Sequence, residues 1–460
     1  MPTSDRHRLT SMIVACPLFL QNLDTSVMAT ALPAISHSLD VPVLYLNLAI
    51  TSYLLSLAVF LPASGWLADR YGSKKVFCWA ILFFSAGSAL CGAANSLPEL
   101  VAFRIVQGMG GAMMVPVGRL ILLRTVPAEQ LVSAMVWFTV PAAIGRIAGP
   151  LFGGAIITIA SWRWIFLVNV PFGLLGIALT ARFIDDAHVA LRRHFDAVGF
   201  ILLAFSLVGI VGALETAGRD LVSGPATFSM LLFGCAAGYG YCCHSRAHAD
   251  ALIDPTILLY PTYRAAVVGG MPLRMAIGAS PFLLPLMLQL GFGLSPMTSG
   301  LLTMATALGS LSTRTITTVA MRRLGFRRLL VGATIFTSLF YGLYGQFRPT
   351  TSHVLIFCTL ILGGLFNALA MVTLNAIGYA EIPKARMSHA TTLASMAQQL
   401  SVSLGVAIGA ALLSLTAWSY GSNVAVPGPA DFMPAFTAVG CMTLISVMFF
   451  MGLPKATMPK

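Results

Sequence analysis

Asp24 stands near the middle of an otherwise apolar stretch, FLQNLDTSVMATALPAI, from Phe19 to Ile35. An ionised carboxylate at bilayer depth costs about 2.5 to 3.5 kcal/mol on insertion scales, so acids placed there default to a functional role. The other acids, from Asp5 and Asp40 to Glu381 and Asp431, fall between apolar runs or at their edges, and Glu215 ends one of them. The chemistry available to a lone buried carboxyl is reversible protonation: desolvation favours the neutral form and a nearby cation the charged one. Asp24 is therefore a candidate proton site. Two other readings stand beside it, a static ion pair with Arg104, Arg146 or Arg274, and an N-cap where the first helix is broken. Arg104 lies in VAFRIVQG with Gln107 one turn on; it pairs with a buried acid or snorkels to the outer interface. Gln21, Asn22, Gln107, Arg146, Arg274, Asn367, Asn375, Gln398 and Gln399 are polar groups expected towards a cavity, some of them only bridging helices.

Other chemistries lack their residues. The eight histidines lie in loops or at the edges of apolar runs, so no nucleophile or metal cluster forms at depth, and no metal site is expected. No phosphate-binding glycine loop occurs, and no polar domain is long enough to house one. The eight cysteines have neither disulfide nor zinc spacing and read as small buried hydrophobes.

What positions Asp24 follows from composition. With 57% hydrophobic and 9% charged residues over 460 positions, too little charge remains to coat a water-soluble globule. Apolar runs of about 20 residues, each able to cross roughly 30 Å of hydrocarbon as a helix, recur from end to end. They fall near 11–33, 47–69, 76–95, 99–121, 131–157, 164–183, 197–215, 227–243, 264–290, 297–317, 328–347, 353–375, 392–416 and 431–453, which is fourteen spans. Continuous runs exclude the alternating pattern of a barrel, so the fold is an all-α integral membrane protein.

The formal charge of +12 is topological and does not point to nucleic acid. Basic residues crowd alternate loops, such as Arg70, Lys74 and Lys75 or Arg322, Arg323, Arg327 and Arg328, and leave the intervening loops nearly bare. This positive-inside pattern puts both termini in the cytoplasm and requires an even number of spans. The basic start before an apolar run looks like a signal sequence, but Asp24 interrupts the run and no small-x-small site follows, so an uncleaved first helix is expected.

Repetition divides the chain. DRYGSKKVF (Asp69 to Phe77) and MRRLGFRRLL (Met321 to Leu330) share an arginine, a glycine two residues on, and two basic residues beyond it. Two related six-helix halves, 1–190 and 261–460, are expected, with two inserted helices in 191–260 and a transport site at the midplane between the halves.

Five segments carry a family resemblance: LDTSVMATALP in helix one, GWLADRYGSKK (Gly65 to Lys75), RIVQGMGGAMMVPVGR (Arg104 to Arg119), GRIAGPLFGG (Gly145 to Gly154) and SWRWIFLVNVPFG (Ser161 to Gly173). In this order they resemble the fourteen-span drug:proton antiporter branch of the major facilitator superfamily. The resemblance implies a 6+2+6 fold and proton-coupled export across the cell inner membrane. It also implies that Arg104 faces helix one and sets the protonation of Asp24, and that the loop with Gly65, Asp69, Arg70 and Gly72 acts as a conformational latch. Gly65 and Gly72 would permit close helix approach and a tight turn, and Ser73, where arginine is usual, would weaken the latch. Gly145, Gly149, Pro150, Gly153 and Gly154 form the antiporter motif: small residues at spacing four let helices pack backbone to backbone, and the proline bends the helix. Arg146 departs from the usual small filler there.

The expected partners are a small amphipathic substrate, protons and the bilayer, with no cofactor because the proton gradient supplies the energy, and the protein is expected to be a monomer. Moving one charge through 100 mV is worth about 2.3 kcal/mol, so neutral or anionic substrates gain from the voltage where a monovalent cation does not. Arg146, Arg274 and Arg314 make a dicationic substrate a poor fit. A dedicated exporter of one metabolite, or a membrane sensor without transport, are the alternatives.

Overall fold

The computed structural model describes residues 3–184, 194–216, 222–248, 251–383, 386–420 and 427–453. Every extended element in them is helical: α1 (Thr3–Leu39), α2 (Asn47–Phe60), α3 (Ala63–Tyr71), α4 (Ser73–Ala93), α5 (Leu97–Thr125), α6 (Ala128–Ile159), α7 (Trp164–Leu167), α8 (Asn169–Phe183), α9 (Ala197–Thr216), α10 (Gly224–Ala247), α11 (Pro261–Arg264), α12 (Met271–Leu286), α13 (Pro296–Leu311), α14 (Thr313–Leu324), α15 (Phe326–Gly345), α16 (His353–Gly378), α17 (Met387–Ser419) and α18 (Pro429–Met451). In lipid each backbone N–H and C=O must pair within its own segment, which a helix achieves and an open strand does not.

Twelve helical segments among the described residues are long and apolar enough to cross a membrane, against the fourteen expected. The two that fall short have local causes. The expected span 297–317 breaks at Ser312 into α13 and α14, neither reaching span length. The expected span 328–347 corresponds to α15, whose first turn carries Arg327 and Arg328 and dilutes its apolar character. The second expected span, 47–69, also ends early, because Leu61 and Pro62 separate α2 from α3.

The chain divides into two compact units, Met1–Ala34 with Leu48–Ile253, and Ile35–Asn47 with Asp254–Lys460. The α9 and α10 pair belongs to the first. In that unit α4 packs on α5 and α8, and glycines set the closeness of the crossings. A Cβ on Gly87 would lie 2.5 Å from the Gln107 backbone nitrogen, and one on Gly108 would lie 2.6 Å from Ser56 Cβ. In the second unit the same device seats α12 on α17, through Gly278 and Gly405, and α13 on α16, through Gly309 and Gly364.

The repeated motif has a conformational echo. Gly72 after α3 and Gly325 after α14 have φ of 91° and 74°, a region that glycine enters without a steric penalty, and each is followed directly by the next helix. Gly65 does not share in this. It is exposed, and a Cβ there would meet nothing within 4 Å, so the close approach expected at Gly65 does not occur.

The antiporter motif faces α1. A Cβ on Gly145 would lie 2.5 Å from the Phe19 carbonyl oxygen, one on Gly149 would run into the Ser26 side chain, and one on Gly153 would lie 2.9 Å from Val27 Cγ1. Ser26 Oγ donates to the Arg146 carbonyl at 3.0 Å, tying the two helices where the glycines bring them together. Gly145→Val forces the backbones apart and is expected to cost about 1 to 3 kcal/mol, as overpacking does. Gly65→Ala, with open space, should stay within about 0.5 kcal/mol of wild type. Thermal unfolding of the purified variants compares the two, and equal midpoints would contradict this packing.

At the start of α9, Asp196 acts as a cap. Its Oδ1 accepts from the Gly199 amide at 2.8 Å and lies 2.7 Å from His244 Nε2, and Oδ2 accepts from the Leu252 amide at 3.4 Å. Burial alone would raise this carboxyl, but the amide bonds and the histidine outweigh it and hold the group below the usual carboxylate range. Its contribution to stability is therefore complete above the unfolded value of about 3.9 and is lost as pH falls towards the depressed folded value. Between pH 5 and pH 3 the unfolding midpoint of wild type should fall further than that of Asp196→Asn; parallel falls would remove this role.

The expectation of buried cysteines holds only for Cys91. Cys16 and Cys78 are half-buried, and Cys235, Cys242, Cys243, Cys358 and Cys441 are exposed on helix faces. An apolar thiol is equally at home against lipid, so an apolar run does not say which way a cysteine points.

Candidate functional site

A buried ion pair lies in the first unit. Asp24 is 3% exposed and Arg104 is fully buried, and Arg104 Nη1 lies 2.6 Å from Asp24 Oδ2. α1 is continuous through Asp24, with Pro17 and Pro33 inside it, so Asp24 is not an N-cap of a broken helix. Arg104 turns inward, so it does not snorkel to the interface.

The pair is held on every side. Asp24 Oδ1 accepts from Gln107 Nε2 at 2.9 Å and from Asn169 Nδ2 at 3.2 Å. Arg104 Nη1 also donates to Gln107 Oε1 at 2.8 Å, and Nε donates to the Ala49 carbonyl at 3.1 Å. The guanidinium carbon sits 4.4 Å from the Tyr53 ring centroid and 5.6 Å from that of Phe166. Asn169 Nδ2 donates to Ser88 Oγ at 3.0 Å, and Ser88 in turn donates to the Phe166 carbonyl at 2.9 Å. The carboxylate on α1 is thus contacted from α5 and α8, and residues of α2, α4 and α7 in turn hold Arg104 and Asn169. The α5 spacing puts Arg104 and Gln107 one turn apart on one face, which lets both reach Asp24.

Asn169, Ser88, Tyr53 and the Ala49 carbonyl escape the sequence reading. Asn169 had a signal, a lone amide in the apolar segment WIFLVNVPFG. Ser88 and Tyr53 had none, because serine and tyrosine also bridge helices or edge a bilayer without further role. Burial alone does not single out Asp24 among the acids: Glu215 and Asp431 are also buried, Asp431 with its Oδ2 accepting from the Gly428 amide at 2.8 Å at the start of α18. Asp24 is singled out by its depth within a membrane-spanning helix and by the fully buried guanidinium of Arg104 against it.

The remaining expected residues lie apart from the pair. Gln21 is buried beside it on α1, with Oε1 lacking a hydrogen bond. Asn22 Oδ1 accepts from the exposed Arg146 Nη2 at 3.0 Å, so neither Arg146 nor Arg274 is the partner of Asp24. Pro150 is half-buried and Gly154 buried within α6. In the second unit Arg274 is buried, Asn367 Nδ2 lies 3.3 Å from Tyr341 OH, and Asn375 and Gln398 are exposed. The side chain of Arg314 lies outside the described residues. In the loop motif, Asp69 Oδ1 accepts from Arg124 Nη2 at 2.6 Å, joining the end of α3 to the end of α5, while Arg70 points outward. Lys74 Nζ donates to the Ala181 carbonyl at 2.8 Å.

The sequence profile described as Major Facilitator Superfamily matches residues 14–406. The chain belongs to this superfamily. It is similar to proteins named "Putative multidrug resistance protein MdtD", 37% identical over 448 residues in Pectobacterium carotovorum subsp. carotovorum strain PC1, covering 97% of this chain and 95% of the relative. The protein of that name in Yersinia enterocolitica serotype O:8 is 38% identical over 438 residues, covering 94% and 92%. Among solved structures, a D-xylose-proton symporter superposes with a TM-score of 0.68 at 14% identity, covering 97% of this chain and 98% of that one. An auto-inhibited peptide transporter of the POT family reaches 0.71 at 15%, covering 99% and 98%. At these identities the structures speak for the fold alone. As a member of the superfamily with twelve candidate spans, the chain is a multi-pass membrane transporter and not an enzyme.

Proposed function

We propose that the protein is a proton-coupled antiporter of the inner membrane that exports small amphipathic molecules, with fourteen spans in a 6+2+6 order, both termini cytoplasmic, acting as a monomer without a cofactor. The observation that carries the reading is the buried Asp24 and Arg104 pair. A proton arriving on Asp24 removes the charge that compensates Arg104, and an uncompensated buried cation costs several kcal/mol. Protonation and rearrangement of the surrounding helices are then one event, which is what coupling requires. Gln107 and Asn169 hold Oδ1 and so present the acid in one orientation. Gly145, Gly149 and Gly153 supply the tight α1 and α6 seam beside it, through which a proton leak must be prevented. The Asp69 to Arg124 contact is the latch, a bond made in one state and released in another. The names of the curated relatives support drugs as substrates.

The test is substrate-driven proton flux in proteoliposomes of the purified protein. Addition of a transported compound should move protons in the opposite sense. A broad panel of amphipathic compounds that moves none removes the multidrug reading, and co-directional flux replaces antiport with symport.

A further inference from the structure

Arg146 lies near the middle of the membrane-spanning part of α6, Ala134–Ile159, where the motif of small residues departs from its pattern. A guanidinium stays protonated in proteins. Either end of the span is about 18 Å away along the helix, too far for the side chain to snorkel. Nor does Arg146 face lipid. Trp137, Ile144, Phe152 and Ile159 are four of the five large apolar side chains exposed on the described part of α6, and their spacing of seven or eight residues puts them on one face. Arg146 is two residues beyond Ile144, about 200° round the helix, on the opposite side with Thr139, Ala143 and Pro150. Its side chain is exposed there although surrounding protein crowds it, the setting of a recess and not of a lipid-facing rim. Contacts with α1 hold it at root and tip. Ser26 Oγ donates to the Arg146 carbonyl at 3.0 Å, Arg146 Nη2 donates to Asn22 Oδ1 at 3.0 Å, and Asn22 Nδ2 donates to the Leu18 carbonyl at 2.9 Å, which fixes the receiving amide. Among the described residues Asn22 is the sole partner of the Arg146 side chain, and the nearby acid on α1, Asp24, is taken up by Arg104. An oriented, accessible cation at bilayer mid-depth without a counter-charge of its own has the chemistry of an anion site.

We propose that Arg146, aimed by Asn22, binds a carboxylate of the transported molecule, which makes the substrate class an organic anion with an apolar body and makes Arg146 the residue that turns organic cations away. This rests on the transport reading above and narrows it. Nη2 is shared with Asn22, and the remaining N–H bonds of the fork match the two oxygens of one carboxylate. The half-buried Phe19, one turn from Asn22 on α1, and Ala143 and Pro150 on α6 supply apolar surroundings for the body of the ligand. Export of a monovalent anion against an entering proton carries two elementary charges inward per cycle, so the interior-negative potential drives it.

The probe is 1-naphthoate, with 1-naphthamide and 1-naphthylmethylammonium as its neutral and cationic counterparts, binding to the full-length protein in nanodiscs, with protein-free nanodiscs as the blank. Naphthoate should bind saturably and about ten- to a hundredfold more tightly than either counterpart, the range of a hydrogen bond to a charged group. Arg146→Gln should lose that preference and leave naphthamide binding unchanged, while Arg146→Lys, which keeps the charge but not the fork, should fall between. Asn22→Ala, which keeps the guanidinium and frees its aim, should weaken naphthoate and leave naphthamide as it was. The ranking of the three probes on wild type needs no variant, so the test stands even if a substitution unfolds the protein. Absent naphthoate binding, equal or tighter binding of the ammonium, or an undiminished preference in folded Arg146→Gln each overturns the proposal. Naphthoate binding without proton flux would sink antiport and leave the anion site standing; proton flux evoked by the ammonium alone would do the reverse.

Discussion

Asp24→Asn is expected to lower the proposed proton-coupled transport by at least about a hundredfold, the lower end of what loss of an obligatory proton acceptor costs. The amide matches the carboxyl in size and keeps an oxygen for Arg104, but it neither binds nor releases a proton near neutral pH. Its NH2 group meets two donors, Gln107 Nε2 and Asn169 Nδ2, where the carboxylate had accepted. Rotation of the Asn169 amide replaces one of the two donors with Oδ1, which has no hydrogen bond to lose, at the cost of the Nδ2 bond to Ser88 Oγ. The site therefore retains a way to stay folded while losing its chemistry. The measurement is proton flux in proteoliposomes alongside compound binding and exchange of labelled compound down its own gradient. Exchange should persist while proton flux disappears. Full-rate coupled flux in the variant would remove Asp24 as the coupling site.

The second expected result is a charge-removal cycle in which the double variant is more stable than the worse single one. Arg104→Met leaves the Asp24 carboxylate buried without its cation, and breaking one side of a buried pair costs about 3 to 5 kcal/mol. Asp24→Asn leaves the Arg104 guanidinium in the same position, though the Ala49 carbonyl, Gln107 and the Tyr53 face soften the loss. Asp24→Asn with Arg104→Met removes both charges, and a well-packed apolar replacement of a buried pair is often neutral or stabilising. Unfolding midpoints of the four proteins in one detergent give the coupling. Additive losses would mean that the two charges do not depend on each other, and the link between protonation and rearrangement would fall with them.

The division between sequence and structure is clearest at this pair. An acid inside an apolar run was visible at once, because the period and length of hydrophobic segments are local properties. So were the basic loops, the glycines at spacing four in α6, and the fact that Arg104 and Gln107 share a helix face. The partner of Asp24 was not legible among Arg104, Arg146 and Arg274. These lie on α5, α6 and α12, and the choice depends on which helices cross at Asp24 and at what depth, which no single segment encodes.

The span count shows the same boundary from the other side. Among the described residues twelve helical segments are long and apolar enough, and the break at Ser312 falls where Ser310, Ser312, Thr313 and Arg314 crowd the run, a polar signal that a count of apolar residues averages away. Gly65 and Gly72 sit in one motif, but only the backbone angle of Gly72 and the open space at Gly65 tell them apart.

By itself the sequence determined the solvent of this protein, the helical class and the residue types available for proton chemistry, because these follow from hydrophobicity and short-range periodicity. The tertiary structure alone decided that Arg104 and not Arg146 neutralises Asp24, that Asn169 and Ser88 complete the shell, and that Arg274 Nε is buried without a hydrogen bond. Each of these depends on a distance of a few ångströms between side chains far apart in the chain, and such distances are set by how whole helices pack.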